Sequence, residues 1–289
     1  MRIMTPGNRL HFYELHAVSG VANFKQCIFC RGDATHSRSV EHIIPESLGN
    51  TEHTLPPGIV CDRCNNYFAR KIEGPLLETD YFRHLRSMMA VPNKRGRIPP
   101  MSGHISNSKI PINIWMDESG IFVEPKDRSR ASELEHSLLA ETQGTLRVPV
   151  PHKSEVDRHM MSRFIGKVAI EALALRVMHV DGWREELVSN EGLEALRGFV
   201  RVGERPKEWQ FHRRSLHRFD QRFCDGTEVF EMLHEYDFVY TQKNLLFFVM
   251  AIFGEEFAID MGNPEIQSYK TYLNEQDGVS PLYPVSPNR

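Results

Sequence analysis

Ser39-Val-Glu-His-Ile-Ile-Pro-Glu-Ser-Leu-Gly-Asn50 lies between two cysteine pairs, Cys27-Ile-Phe-Cys30 and Cys61-Asp-Arg-Cys64, which are thirty residues apart. A C-x-x-C turn sets two sulfurs on one side of an ion, and two such turns complete the tetrahedron of thiolates that Zn²⁺ prefers. Such a shell is closed, so the zinc expected on Cys27, Cys30, Cys61 and Cys64 is structural. The alternatives are two buried thiol pairs or a redox pair. In the reducing cytoplasm, paired C-x-x-C spacing reads as metal binding more readily than as disulfides. Zinc at this place pins both ends of the insert together.

Within the insert, Glu41-His42-Ile-Ile-Pro45 is followed by Leu48-Gly49, and Cys61-x-x-Cys64 runs directly into Asn65. These residues resemble the HNH endonuclease family, in the variant whose ββα-metal motif is braced by four zinc cysteines. The resemblance spans about Cys27 to Glu73. It implies hydrolysis of nucleic acid phosphodiesters, with DNA as the expected substrate and a bacterial defence nuclease as one setting for it. It also implies that His42 activates water, that Glu41 binds a catalytic divalent metal, and that Asn65 completes the metal site. A neutral imidazole is the natural base near pH 7, and carboxylate and amide oxygens are hard ligands suited to Mg²⁺ or Mn²⁺. Adjacent residues of a strand point to opposite faces, so Glu41 and His42 serve one site only where the backbone bends. Pro45 and the turn after it are consistent with a bend.

One position departs from the family. Its central Asn, whose side chain braces the loop carrying the catalytic His, has Asn50, His53 and Thr54 as candidates here. His36 and His53 read more readily as solvated loop histidines than as ligands. Asn65 and Asn66 also suit a helix start, and for Asn66 the cap is the preferred reading. Arg63, Arg70 and Lys71 lie on or beside the expected metal-site helix and are candidate phosphate contacts; Arg83, Arg86, Lys94, Arg95 and Arg97 follow them. A second basic group, Lys207, Arg213, Arg214, His217 and Arg218, interleaves with Trp209 and Phe211. That pattern can hold single strands through stacking, but it reads more readily as an amphipathic strand beside a core.

The 289 residues suffice for one large domain or two ordinary ones, and 40% hydrophobic with 25% charged residues is a globular balance. Residues 1–100 hold 13 Lys/Arg against 9 Asp/Glu and the remainder 22 against 29, so a net +4 precedes a net −7. A basic first part suits a polyanion, while the acidic remainder argues against the whole chain coating nucleic acid. No apolar run is long enough for a membrane span, and the first ten residues do not read as a secretory signal, so a cytoplasmic protein is expected. Lone Cys224 reads as a small buried apolar side chain.

Breaker-rich Val91–Pro100 marks a boundary. The expected fold class is α+β: residues 1–95 as the zinc-braced ββα-metal domain with its core at 27–73, and 101–289 as a mixed α+β domain for substrate recognition or regulation. A hairpin is expected over Ile110–Trp115 and Ile121–Val123, and a core helix over Ser154–Met178 capped by Ser154. A second helix is expected over Arg184–Val200, then strands from Glu208 to Asp260, with Leu245–Phe253 as core and Asp277–Arg289 loosely held. The function expected is a metal-dependent endonuclease, alone or with a regulatory protein partner or a second copy. A non-catalytic zinc-knuckle module that binds nucleic acid is the alternative.

Overall fold

The short strands β1 (Glu41–His42) and β2 (Thr54–Leu55) pair antiparallel, Glu41 opposite Leu55 and His42 opposite Thr54. The computed structural model describes residues 25–105, 110–117, 119–140, 145–148, 156–225, 227–231 and 233–283. Between β1 and β2 a single 3-10 turn, Glu46–Leu48, ends at Gly49, whose φ of 89° is the left-handed conformation that glycine tolerates. Helix α1 (Asp62–Phe68) starts at the second cysteine pair, with Cys61 at its N-cap. It widens into a π turn over Ala69–Glu73, and α2 (Gly74–Leu77) and α3 (Asp80–Met88) follow.

Next comes a sheet of order β5-β4-β3-β6, built from β3 (Met101–Ile105), β4 (Pro111–Asp117), β5 (Gly120–Pro125) and β6 (Leu146–Arg147). The expected hairpin is β4–β5, with Trp115 opposite Phe122. Helix α4 (Ala131–Leu139) packs on this sheet, and Leu134 joins Met101, Ile105, Ile110, Ile112 and Ile114 in a small separate core.

The long helix α5 (Arg158–Val177) is capped by Asp157, whose side chain accepts from the Met160 amide at 3.0 Å. Asp157 therefore takes the cap role expected of Ser154, which lies outside the described residues. The expected single helix over 184–200 is two, α6 (Trp183–Ser189) and α7 (Glu194–Val202), because Asn190 is extended (φ −60°, ψ 109°). Gly203, in the left-handed conformation, closes α7.

A second four-stranded antiparallel sheet has the order β10-β11-β12-β7. Its strands are β7 (His212–Ser215), β10 (His234–Tyr240), β11 (Leu246–Ile252) and β12 (Glu255–Asp260); β8 (Arg222–Asp225) and β9 (Glu228–Glu231) form a hairpin beside it. Central β11 is buried on both faces, which explains its unbroken apolar run. Phe248, Met250 and Ile252 point into the main core, while Phe247 and Val249 meet Tyr269 and Leu273 of α8 (Gln267–Glu275) on the other face.

The main core is continuous from the cysteine knuckle through α1–α3 to α5, α7 and the second sheet. The chain leaves it at Val91, builds the smaller core, and rejoins it at Val156. Two further expectations are corrected. Cys224 is exposed rather than buried, since it sits on the peripheral β8–β9 hairpin. In keeping with the strand reading of the second basic group, Trp209 and Phe211 are buried, and Arg213 and Arg214 pair with Glu255 and Glu256 at 3.0 and 2.6 Å beside the core. The tail is tied as far as Tyr283: Arg214 donates to the Gly278 carbonyl at 2.5 Å and Ser280 to Glu256. No helix among the described residues is long and apolar enough to cross a membrane.

Candidate metal centre and active site

The first cysteine turn is closed by Cys27 N–H donating to the Gly32 carbonyl and Arg31 N–H to that of Cys27, both at 2.9 Å. The second turn runs into α1, which aims Cys61 and Cys64 at the first pair. All four sulfurs lie within 4.8 Å of one another, with Cys30 Sγ 3.5 Å from Cys61 Sγ. A zinc tetrahedron with bonds of about 2.3 Å needs sulfurs about 3.8 Å apart, so the cluster fits a structural zinc site. The Cys64 thiol, helped by backbone amides, holds Cys27 down at about 5 against its burial, so one ligand is already inclined to the thiolate form that zinc requires.

The knuckle rests on arginines from distant helices. Arg197 of α7, itself buried, donates to the carbonyls of Ile28 and Leu187, both at 2.8 Å. Arg184 of α6 reaches those of Gln26 at 2.9 Å and Gly58 at 2.8 Å. Arg31 in turn donates to the Val188 carbonyl and pairs with Glu194. Each guanidinium satisfies loop carbonyls that burial would leave unpaired.

Asn50, fully buried, ties the β1–β2 loop to itself. Its amide nitrogen donates to the carbonyls of Ile44 (2.7 Å) and His53 (2.9 Å), and its oxygen accepts from the amides of Glu52 (3.2 Å) and His53 (2.9 Å). Of the three candidates for the bracing position, Asn50 makes these bonds. His53 instead lies edge-on to His234 and Tyr236, with ring centroids 5.9 and 5.3 Å away.

The pair Glu41–His42 divides as strand geometry demands. His42 is half-buried, and its Nδ1 has no hydrogen-bond partner. Glu41, 5% exposed, points inward, and its Oε1 meets the Lys167 ammonium of α5 at 2.7 Å. The same ammonium is 2.6 Å from Glu73 on the π turn and 2.9 Å from Glu171 one turn further along α5. It also donates to the carbonyls of His42 (3.2 Å) and Ile43 (3.4 Å). Burial works against the ammonium, but Glu171, Glu41 and Glu73 outweigh it and hold its pKa well above the usual lysine value. Burial pushes Glu41 above the ordinary carboxylate value and Glu171 far above it, with Lys167 pulling both the other way. Three carboxyl groups thus share one cation, and desolvation drives the surplus toward the neutral form.

Asn65 is half-buried on α1 and makes no side-chain hydrogen bond among the described residues. One oxygen of Glu41 is committed to Lys167, and its Oε2 is buried and unpartnered. Among the described residues only the four cysteines form a group of three or more Cys, His, Asp or Glu able to share an ion. Asn66 is no cap: it lies inside α1 and donates to the Asp62 carbonyl at 2.8 Å. Arg63, Arg70 and Lys71 are exposed; the neighbouring cysteine sulfurs, Cys30 first, raise the Arg63 pKa, and Arg70 donates to the Asn66 carbonyl at 3.3 Å. Arg86 is 3% exposed, so it leaves the expected basic surface.

Lys167 is the residue that the sequence reading missed. It stands in a helix whose buried positions also include the polar Ser162, Arg163 and Glu171, and Lys167 with Glu171 forms an i,i+4 opposite-charge pair that also suits an exposed face.

The family model described as HNH endonuclease matches residues 27–80. No curated protein and no solved structure matches the chain. The matched segment opens on the first cysteine of the gathered cluster and contains all four, so residues 27–80 match the HNH endonuclease family in its four-cysteine variant.

Proposed function

We propose that the chain is an endonuclease that hydrolyses phosphodiester bonds of DNA, with His42 as the general base. The observation that carries this reading is the presentation of His42. Its ring is half-buried, with Nδ1 buried and unpartnered, on a strand fixed from two sides, by Asn50 across the loop and by Lys167 on the His42 carbonyl. Nε2 is then the ring nitrogen that would take a proton from water, and fixing its position contributes as much to rate as its basicity. Zinc on the cysteines holds the motif closed and takes no part in the reaction.

A divalent metal such as Mg²⁺ supplies Lewis-acid stabilisation of the leaving oxygen in hydrolysis of this kind. The part that the resemblance gives Glu41, as ligand to that metal, requires its carboxylate to leave Lys167. In the arrangement described it acts as a strut beneath the His42 strand. Asn65, half-buried on α1, offers an amide with no side-chain hydrogen bond among the described residues. Arg63, Arg70 and Lys71 supply cations for backbone phosphates, which give affinity without sequence preference.

Plasmid cleavage by the wild type and His42→Ala, with and without Mg²⁺ or Mn²⁺ and at equal zinc content, tests the proposal. Metal-dependent nicking by the wild type alone is expected. Equal cleavage by both proteins removes His42 as the base. Absence of cleavage by either, together with salt-sensitive DNA binding, favours the non-catalytic zinc-knuckle module.

A further inference from the structure

A second feature lies where the matched segment ends. Helix α3, the turn Asn93–Arg97 and the β4–β5 hairpin enclose an open cleft of about 680 Å³. One wall is aromatic: Trp115 and Phe122 face each other across the two strands, and Phe122 is 47% exposed, which is unusual for a ring with no ligand to cover. The lining also carries cations, Arg83 from α3 and Arg97 from the turn. Lys94 and Arg95 extend it on the same turn, both exposed. None of these four cations has an ion-pair partner among the described residues, whereas Arg158, Arg176, Arg213 and Arg214 are all paired. Glu78 is the acid on the cleft lining.

The turn is built rather than loose. Asn93 N–H donates to the Arg97 carbonyl and Gly96 N–H to that of Asn93, both at 2.8 Å. The Asn93 side-chain oxygen accepts from the amides of Arg95 (2.9 Å) and Arg97 (3.1 Å), and Gly96 takes the positive φ of 71° that the reversal needs. Arg83 donates to the Pro100 carbonyl at 3.4 Å and so fixes the cleft floor to α3.

We infer that this cleft binds an unpaired stretch of polynucleotide, with bases against Trp115 and Phe122 and phosphates on Arg83, Arg97, Lys94 and Arg95. Flat apolar rings beside unpaired cations match the two chemistries of a single strand, which alternate along its length. Duplex bases are stacked on each other and do not offer a face to Trp115. The inference deepens the nuclease reading by giving the chain a place to hold strand away from His42, but binding here needs no hydrolysis.

The test is fluorescence anisotropy of a labelled oligothymidylate and of a blunt duplex of the same length, with the full zinc-loaded chain and no added Mg²⁺ or Mn²⁺. Trp115→Ala should weaken oligothymidylate binding about tenfold and leave duplex binding unchanged. Arg95→Gln/Arg97→Gln should lower the salt slope for the single strand by about 1.4. Phe122→Leu, which keeps an apolar side chain on the hairpin, should also weaken the single strand, guarding against a Trp115 variant that misfolds; unchanged zinc content and unfolding midpoint establish that each variant is intact. Wild-type affinity in all intact variants, parallel loss for strand and duplex, or equal competition by polyaspartate would each overturn the inference. Cleavage reports separately: a chain that binds strand but never cuts plasmid keeps the cleft and loses the nuclease reading.

Discussion

Lys167→Met keeps the apolar stem and removes the one cation from a set of three carboxyl groups at 2.6, 2.7 and 2.9 Å. Each contact is worth about 6 kcal/mol of gross attraction at an effective dielectric of 20, but burying the ammonium offsets much of that. Breaking a buried pair by deleting one partner costs about 3–5 kcal/mol. The lost bonds to the His42 and Ile43 carbonyls add about 1 kcal/mol. A loss of about 4–6 kcal/mol at pH 7 is therefore expected by urea unfolding, comparable to the whole stability of many domains. The loss also depends on pH in a definite sense. Glu41 and Glu171 already have raised pKa values, so the folded state binds more protons than the unfolded state above the ordinary carboxylate value of 4.5. Stability from these groups falls as pH rises through that window, by about 1.4 kcal/mol per unit for each proton. Without Lys167 the window widens upward, so the deficit should be smallest near pH 5 and grow toward pH 8. Lys167→Met/Glu171→Leu should recover about 2 kcal/mol, because an apolar pair replaces a stranded acid. A deficit under about 1 kcal/mol, or one flat from pH 5 to 8, refutes the account of the cluster.

Asn50→Ala removes a side chain that serves four backbone groups and should lower stability by about 2–4 kcal/mol in denaturant titration; Asn50→Asp, which loses both donors, should be nearly as damaging. Cys61→Ser or exhaustive chelation should release zinc and lower the midpoint of the entire thermal transition, because the knuckle shares its core with α5–α7; a separate low-temperature step confined to part of the chain would contradict that. His234 is held at about 4 by burial and by the neighbouring His53. The unfolded chain takes up its proton near the ordinary histidine value of 6.5, so stability falls as pH drops from 6.5 toward 4, by about 3 kcal/mol in all. His234→Phe should flatten that part of the acid-unfolding profile.

The cysteine spacing and the Glu41–Asn65 motif were legible because local chemistry dictates them. A C-x-x-C turn and an acid-His pair keep their meaning whatever surrounds them. The hairpin at β4–β5 and the buried β11 were legible for the same reason, through period-two patterning and continuous apolar content. Lys167 was not, because a lysine in a helix names no partner, and its partners come from a strand, a π turn and its own helix. The true direction of Glu41 was hidden with it. Asn50 was one of three candidates until backbone carbonyls of Ile44 and His53 were seen to converge on it. The break at Asn190 was invisible to helical periodicity, since the apolar positions of α6 and α7 continue across it.

The Lys167 contact spans 126 positions of the chain. During synthesis at roughly 5–20 residues per second, that interval is roughly 6–25 s. Throughout it, Glu41-His42 has emerged while α5, the ammonium beneath the His42 carbonyl, and the arginines of α6 and α7 have not. The HNH motif is therefore completed late, by residues translated long after it. A truncated or stalled nascent chain would carry the motif without the support that sets its geometry.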